Sequence, residues 1–128
     1  MNTTVTTHRG VRVAILDFSN RADEKTSLGV IEEARQIIAR ERPKSIYTLT
    51  DVTGSFVTPR LRTALHDLTK ANAPFVIAGA VVGLTTIQMI ILRGIVQVTK
   101  RRLVAMSSRE EALEWIVADA ARSKSIAS

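Results

Sequence analysis

The stretch Ala78–Arg102, AGAVVGLTTIQMIILRGIVQVTKRR, decides how the chain is read. From Phe75 to Leu92 no residue is charged, and 18 apolar positions are about the shortest run that spans a bilayer. Gly79 and Gly83 stand four apart, the spacing at which membrane helices pack closely. Lys100, Arg101 and Arg102 would then be the cytoplasmic stop. Three features argue the other way. Thr85, Thr86, Gln88, Arg93 and Gln97 are polar, and an Arg near the centre of a span costs about 2.5–3.5 kcal/mol. The two glycines after Pro74 make a poor continuous helix and a natural strand-to-helix turn. In helical projection Leu84, Ile87, Ile91, Ile95 and Val98 share one face with Ile90 beside them, while Thr86, Arg93, Gln97 and Lys100 lie opposite. The stretch is therefore expected to be the end of a strand, a glycine turn and a separate helix packed on a sheet, not a transmembrane segment. Met89, Leu92 and Val96 form a second apolar flank, the expected interface with a partner unless the C-terminal helix covers it.

The segments on either side extend this reading. Val11–Phe18 is apolar on both faces and stops at polar residues, as a strand covered on both sides does. The preceding TTVTTH is either an extra N-terminal edge strand, turning through His8-Arg9-Gly10, or a frayed terminus. Val30, Ile31, Ala34, Ile37 and Ile38 make one buried stripe of a helix that Pro43 stops. Ser45–Asp51 is β-branched and aromatic, hence a strand. Thr58 is a natural N-cap with Pro59 at N1 and Leu61, Leu65 and Leu68 on the apolar face. Phe75–Ala80 and Leu103–Met106 complete the strands. Ser107 or Ser108 opens a last helix through a capping box with Glu110 or Glu111, and Ala112, Leu113, Trp115, Ile116 and Ala120 form its apolar face. Alternation of strands and helices predicts an α/β fold of four β/α units, a mainly parallel sheet covered by helices. A chain of 128 residues makes one domain over 1–128, with an ordered core over about 9–120 and a polar tail over 121–128.

Composition narrows the function. The chain has no cysteine, which excludes disulfides, thiolate zinc sites and thiol catalysis. No secretory pattern is visible, so a cytoplasmic protein is expected. The net charge is +6, but the basic residues are scattered and no aromatic is interleaved with them, so a nucleic-acid partner is not expected. Sites in parallel sheets form outside the carboxyl ends of the strands. Asp17, Ser19, Asn20, Asp51, Thr53 and Ser55 fall there as candidate ligand-binding residues. Asp17 and Asp51 could share a Mg²⁺ ion in a small hydrolase or phosphatase, or could simply satisfy loop amides as Asp does in turns. The second reading is favoured. No metal-ligand spacing, no complete dinucleotide fingerprint and no nucleophile–base pair can be assembled, so no metal, cofactor or catalytic residue is expected.

Four strings in order, LDFSN (Leu16–Asn20), TLTDVTGS (Thr48–Ser55), AVVG (Ala80–Gly83) and SREEALEWI (Ser108–Ile116), resemble a group of small, uncharacterised bacterial single-domain proteins. That group is similar to the STAS fold, the domain of anti-sigma-factor antagonists and of sulfate-transporter tails. The resemblance covers about Arg9 to Val117. It implies a non-enzymatic binding or regulatory module with a protein partner, here expected to self-associate as a homodimer. It also implies, through the likeness of STAS sheets to lipid-transfer folds, an alternative role as carrier of a small apolar ligand. In the antagonists a Ser at the start of a helix accepts phosphate; Thr58 and Ser55 lie nearest that position, but the family's Asp-Ser-Ser/Thr-Gly run is absent.

Overall fold

The computed structural model describes residues 2–20 and 23–127, with side chains described as far as Ser123. The elements run β1 (Thr3–His8), β2 (Val11–Asp17), α1 (Glu24–Ile38), β3 (Ile46–Asp51), α2 (Pro59–Asn72), β4 (Val76–Val82), α3 (Thr86–Thr99), β5 (Leu103–Met106) and α4 (Arg109–Ala127). The strands form one sheet in the order β1-β2-β3-β4-β5. β1 pairs antiparallel with β2, and the other neighbours are parallel. The N-terminal strand is therefore present: Arg9 and Gly10 adopt positive φ in the two-residue turn, and Thr3 lies opposite Leu16.

Each parallel strand sits beside its predecessor, so right-handed crossovers bring α1, α2 and α3 to one face. α4 passes back across the other face, over β2 to β5. Two cores result. Ala14, Leu16, Ile46 and Val76 meet Val30, Ala34, Ile38, Leu61 and Leu68 on the first face. Val13, Tyr47, Leu49, Ala80 and Val82 meet Ala112 and Ile116 of α4 on the second. The caps follow the sequence. Asp23 accepts from Lys25 N, Thr58 Oγ1 from Leu61 N, and Ser108 Oγ from Glu111 N. α3 has a full capping box, Thr85 N donating to Gln88 Oε1 and Gln88 N to Thr85 Oγ1. The same polar residues that argue against a membrane span thus start the helix. No helix among the described residues is long and apolar enough to cross a membrane.

Several expectations are corrected. Ile38 ends α1 well before Pro43, because the chain turns at Ala39–Glu41. β4 extends two residues past Ala80 to Val82. The polar segment expected to be loose from 121 onward continues α4 to Ala127, since Ala, Arg and Lys are good helix formers.

β1 is held at its start by Glu33 of α1, whose Oε1 accepts from Asn2 N and Thr3 N at 3.0 and 2.7 Å. Thr3 is 2% exposed, and its hydroxyl has no hydrogen-bond partner among the described residues. An unsatisfied buried hydroxyl costs about 1 kcal/mol or more relative to a methyl of the same shape. Thr3→Val should therefore raise the unfolding free energy by about 1 kcal/mol in urea titration. A loss of stability would show that the hydroxyl has a partner.

Candidate functional site

The ladder between neighbouring strands continues into the loops at their carboxyl ends. Phe18 N donates to Asp51 O, Asn20 N to Thr53 O, and Val52 N to Val82 O. This places Asp17 directly beside Asp51 in register, and Ser19 and Asn20 beside the Thr53 loop. Asn20 holds φ +56, and its side chain lies over Gly54, where a Cβ would come 2.5 Å from its Oδ1. Asp17 accepts from Ser19 N and Ser19 Oγ at 2.9 and 2.5 Å, and Asp51 accepts from Thr53 N at 3.0 Å. Both are Asx turns. Ser55 donates its hydroxyl to Val52 O.

A residue not singled out from sequence completes this cluster. Arg109, the first residue of α4, donates from Nε to Asp51 Oδ2 at 2.7 Å and brings Nη2 to 3.4 Å from Asp17 Oδ1. The hydroxyl of Ser19, aided by Arg109, holds the Asp17 carboxyl below the usual carboxylate range. Burial pushes Asp51 up, but the bonds from Thr53 and Arg109 outweigh it and its net shift is also downward. Both groups are ionised at neutral pH, with one guanidinium between them. The arrangement fastens α4 to the strand ends and leaves neither carboxylate as a general acid. Among the described residues no group of three or more His, Cys, Asp or Glu could hold a metal ion.

Thr58 and Ser55 are brought to the same end of the sheet as this cluster. Thr58 Oγ1 caps α2 and also donates to Glu24 Oε1 at 2.6 Å. A phosphoryl group there would gain the helix N-terminus but meet the Glu24 carboxylate. Gln88 of α3 donates to Ser55 O at 3.1 Å, tying the start of α3 to this loop.

The expected apolar faces of α3 are corrected. Its inward side carries Gln88, Ile91, Leu92, Ile95 and Val96, whereas Ile87, Ile90 and Val98 project into solvent at 71, 63 and 69% exposure. Leu92 and Val96 of the expected interface are half-buried near Leu103 and Ala105 of β5; Met89 is at the margin, 36% exposed. α4 does not cover this helix, because it lies on the opposite face of the sheet. Gln88 is held inward by Ser55 O, which turns Ile87 and Ile90 outward beside Arg93 and Gln97, so the buried stripe is not the one that the helical projection selects.

The basic residues between α3 and β5 divide between the two faces of the sheet. Arg102 binds Asp119 of α4 through both Nη atoms, at 2.8 and 3.0 Å. Asp119 is 3% exposed and also accepts from Tyr47 Oη at 2.6 Å and from Arg122 at 3.1 Å. Arg101 turns to the other face and is buried there. Asp119 lies seven residues after Ala112 and three after Ile116, on the buried stripe, which is the signal that could have found it.

No family model matches the chain, and no curated protein sequence matches it. Among solved structures it is similar to an anti-sigma-factor antagonist (STAS) domain protein from Planctomyces limnophilus, with a TM-score of 0.63 and 17% identity over 91% of this chain and 99% of that one. The element order, the antiparallel first strand, the parallel remainder and this superposition together give one conclusion: the chain has the STAS fold.

Proposed function

We propose that the protein is a non-enzymatic binding module that acts by self-association through the exposed face of α3. The observation that carries this reading is the stripe Ile87, Ile90, Gly94 and Val98, all exposed on one helix. Their spacing of three, four and four residues keeps them on one side of the helix. A Cβ at Gly94 would meet nothing within 4 Å, so a second helix can approach closely at the middle of the stripe. Met89 sits at the margin and Arg93 and Gln97 form a polar rim, the anatomy of a small two-fold interface. The internal pairing of Asp17, Asp51 and Arg109 supports a module without catalysis, as does the regulatory character of the STAS neighbour.

The expected result is a dimer by light scattering at tens of micromolar protein, with Ile90→Glu shifting it to monomer. Burying one carboxylate per subunit at the centre should weaken association by about 100-fold or more. Because Ile90 is exposed in the single chain, the variant keeps its helical circular dichroism and urea midpoint. A parent chain that stays monomeric at high micromolar concentration overturns the proposal.

A further inference from the structure

We infer that the space beneath α3 is a binding site for a small carboxylate with a short hydrocarbon body, anchored by Arg101. On the α2–α3 side of the sheet the central strands present Thr48, Thr50, Gly79 and Val81 rather than large apolar residues. α3 bridges over these small side chains and leaves a cavity of about 100 Å³. Its walls are mainly Leu16, Phe18, Leu65, Ile91 and Ile95. Apolar cavities of about 150 Å³ take up molecules the size of benzene, so this one suits a chain of a few carbons.

A buried cation at the edge of such a space calls for an anion. Arg101 lines the cavity and is only 7% exposed. Nη1 donates to Thr69 O at 2.9 Å, at the end of α2. Among the described residues Nε and Nη2 make no hydrogen bond and Arg101 forms no ion pair; neither nitrogen is sealed from solvent, so both face the opening of the cavity, where a ligand can reach them. Buried arginines are ordinarily paired, because an uncompensated buried charge is expensive. Asn72, one turn beyond Thr69, is also buried, lines the cavity and offers an amide that makes no side-chain hydrogen bond among the described residues. The guanidinium fork matches a carboxylate through two parallel donors, and such charge-assisted bonds are strong away from water. Burial alone pulls the Arg101 pKa down from the usual arginine value, and a bound anion would relieve that.

The test uses butanoate as the probe, with acetate as an anion lacking the body and 1-butanol as a body lacking the charge. Titration calorimetry and amide chemical-shift mapping on the intact chain read binding. Butanoate is expected to bind saturably at one site and to shift amides around Thr69–Asn72 and Ile91–Ile95. Acetate and butanol are expected to bind at least about tenfold more weakly, each lacking half of the recognition. Arg101→Met should weaken butanoate at least about tenfold while keeping or raising the melting temperature, since it removes a buried charge that has no acidic partner. A merely structural Arg101 would instead give a lower melting temperature with butanoate affinity unchanged. Ile91→Phe fills the cavity, keeps Arg101 and should also lose butanoate; it decides the matter if Arg101→Met does not fold. Absence of saturable butanoate binding to the parent chain, equal binding of butanol, or unchanged affinity in either variant overturns the inference.

Discussion

Gly83→Ala is expected to lower the unfolding free energy by about 3 kcal/mol or more, a large part of the stability of a domain this size. Gly83 ends β4 with φ +85, a conformation that costs any residue with a Cβ. Strain is only part of the loss. A Cβ would lie 2.1 Å from Thr53 Oγ1 and 2.7 Å from both Thr53 N and Thr53 Cα. A hydroxyl can rotate away, but the backbone of the β3 loop cannot, because Asn20 N and the Val52–Val82 bond hold it. The clash therefore spreads into the strand ends that carry Asp17 and Asp51. Gly29→Ala is the matched control. It lies exposed inside α1 with nothing within 4 Å of the added carbon, so it should gain about 0.5–1 kcal/mol. Urea titrations of both variants check the opposite signs. A Gly83→Ala protein as stable as the parent would mean that the turn after β4 is not built as described.

This prediction also shows where sequence was sufficient. Gly79 and Gly83 have the spacing of a membrane packing pair, yet each is required by a neighbour across the sheet: Thr48 Oγ1 would lie 2.2 Å from a Cβ on Gly79, and Thr53 would meet one on Gly83. The preceding proline and the polar residues around Thr85 carry enough local information to choose the turn, and the alternation of periods yields the four β/α units.

The functional surfaces were less legible, for a physical reason. Whether Ile87 or Leu92 faces the sheet depends on a rotation of α3 that is set by a distant contact: Gln88 is drawn inward by Ser55 O, 33 residues away. Arg109, Arg101 and Asp119 act through partners distant in the chain: Asp51 is 58 residues from Arg109, and Asp119 is 72 from Tyr47. Local periodicity holds no trace of such pairs. Asp17, Ser19, Asn20, Asp51, Thr53 and Ser55 could be placed together because the strand-end rule is topological and does not depend on side-chain partners.

Asp119→Ala is expected to cost about 3–4 kcal/mol, because it strips three partners at once. Tyr47 is 1% exposed, and its hydroxyl donates to Asp119 Oδ2; without that oxygen a buried donor loses its charged acceptor. Arg102 loses a bidentate partner and Arg122 its bond to the same carboxylate, so positive charge accumulates over the α4 face. The pKa values carry the same coupling. Burial and the bond to Asp119 push the Tyr47 phenol up to about 12, which keeps it a donor. The Arg102 guanidinium, with Tyr47 and Arg122, holds the Asp119 carboxyl well below the usual carboxylate range despite its burial. A carboxyl with a depressed folded-state pKa binds its proton more readily in the unfolded chain. Its contribution is therefore complete above the unfolded value of about 3.9 and is lost as pH falls below that toward the folded value. Asp119→Asn separates charge from shape. The gap in urea midpoint between parent and Asp119→Asn should be widest at pH 5–7 and should narrow steadily below about pH 4. Asp17 and Asp51 titrate in both proteins, so their acid losses cancel in the difference. A gap that keeps its size down to about pH 2.5 would show that Asp119 stabilises the fold by packing and neutral hydrogen bonds alone, and that the charge shared with Arg102 does not hold α4 on the sheet.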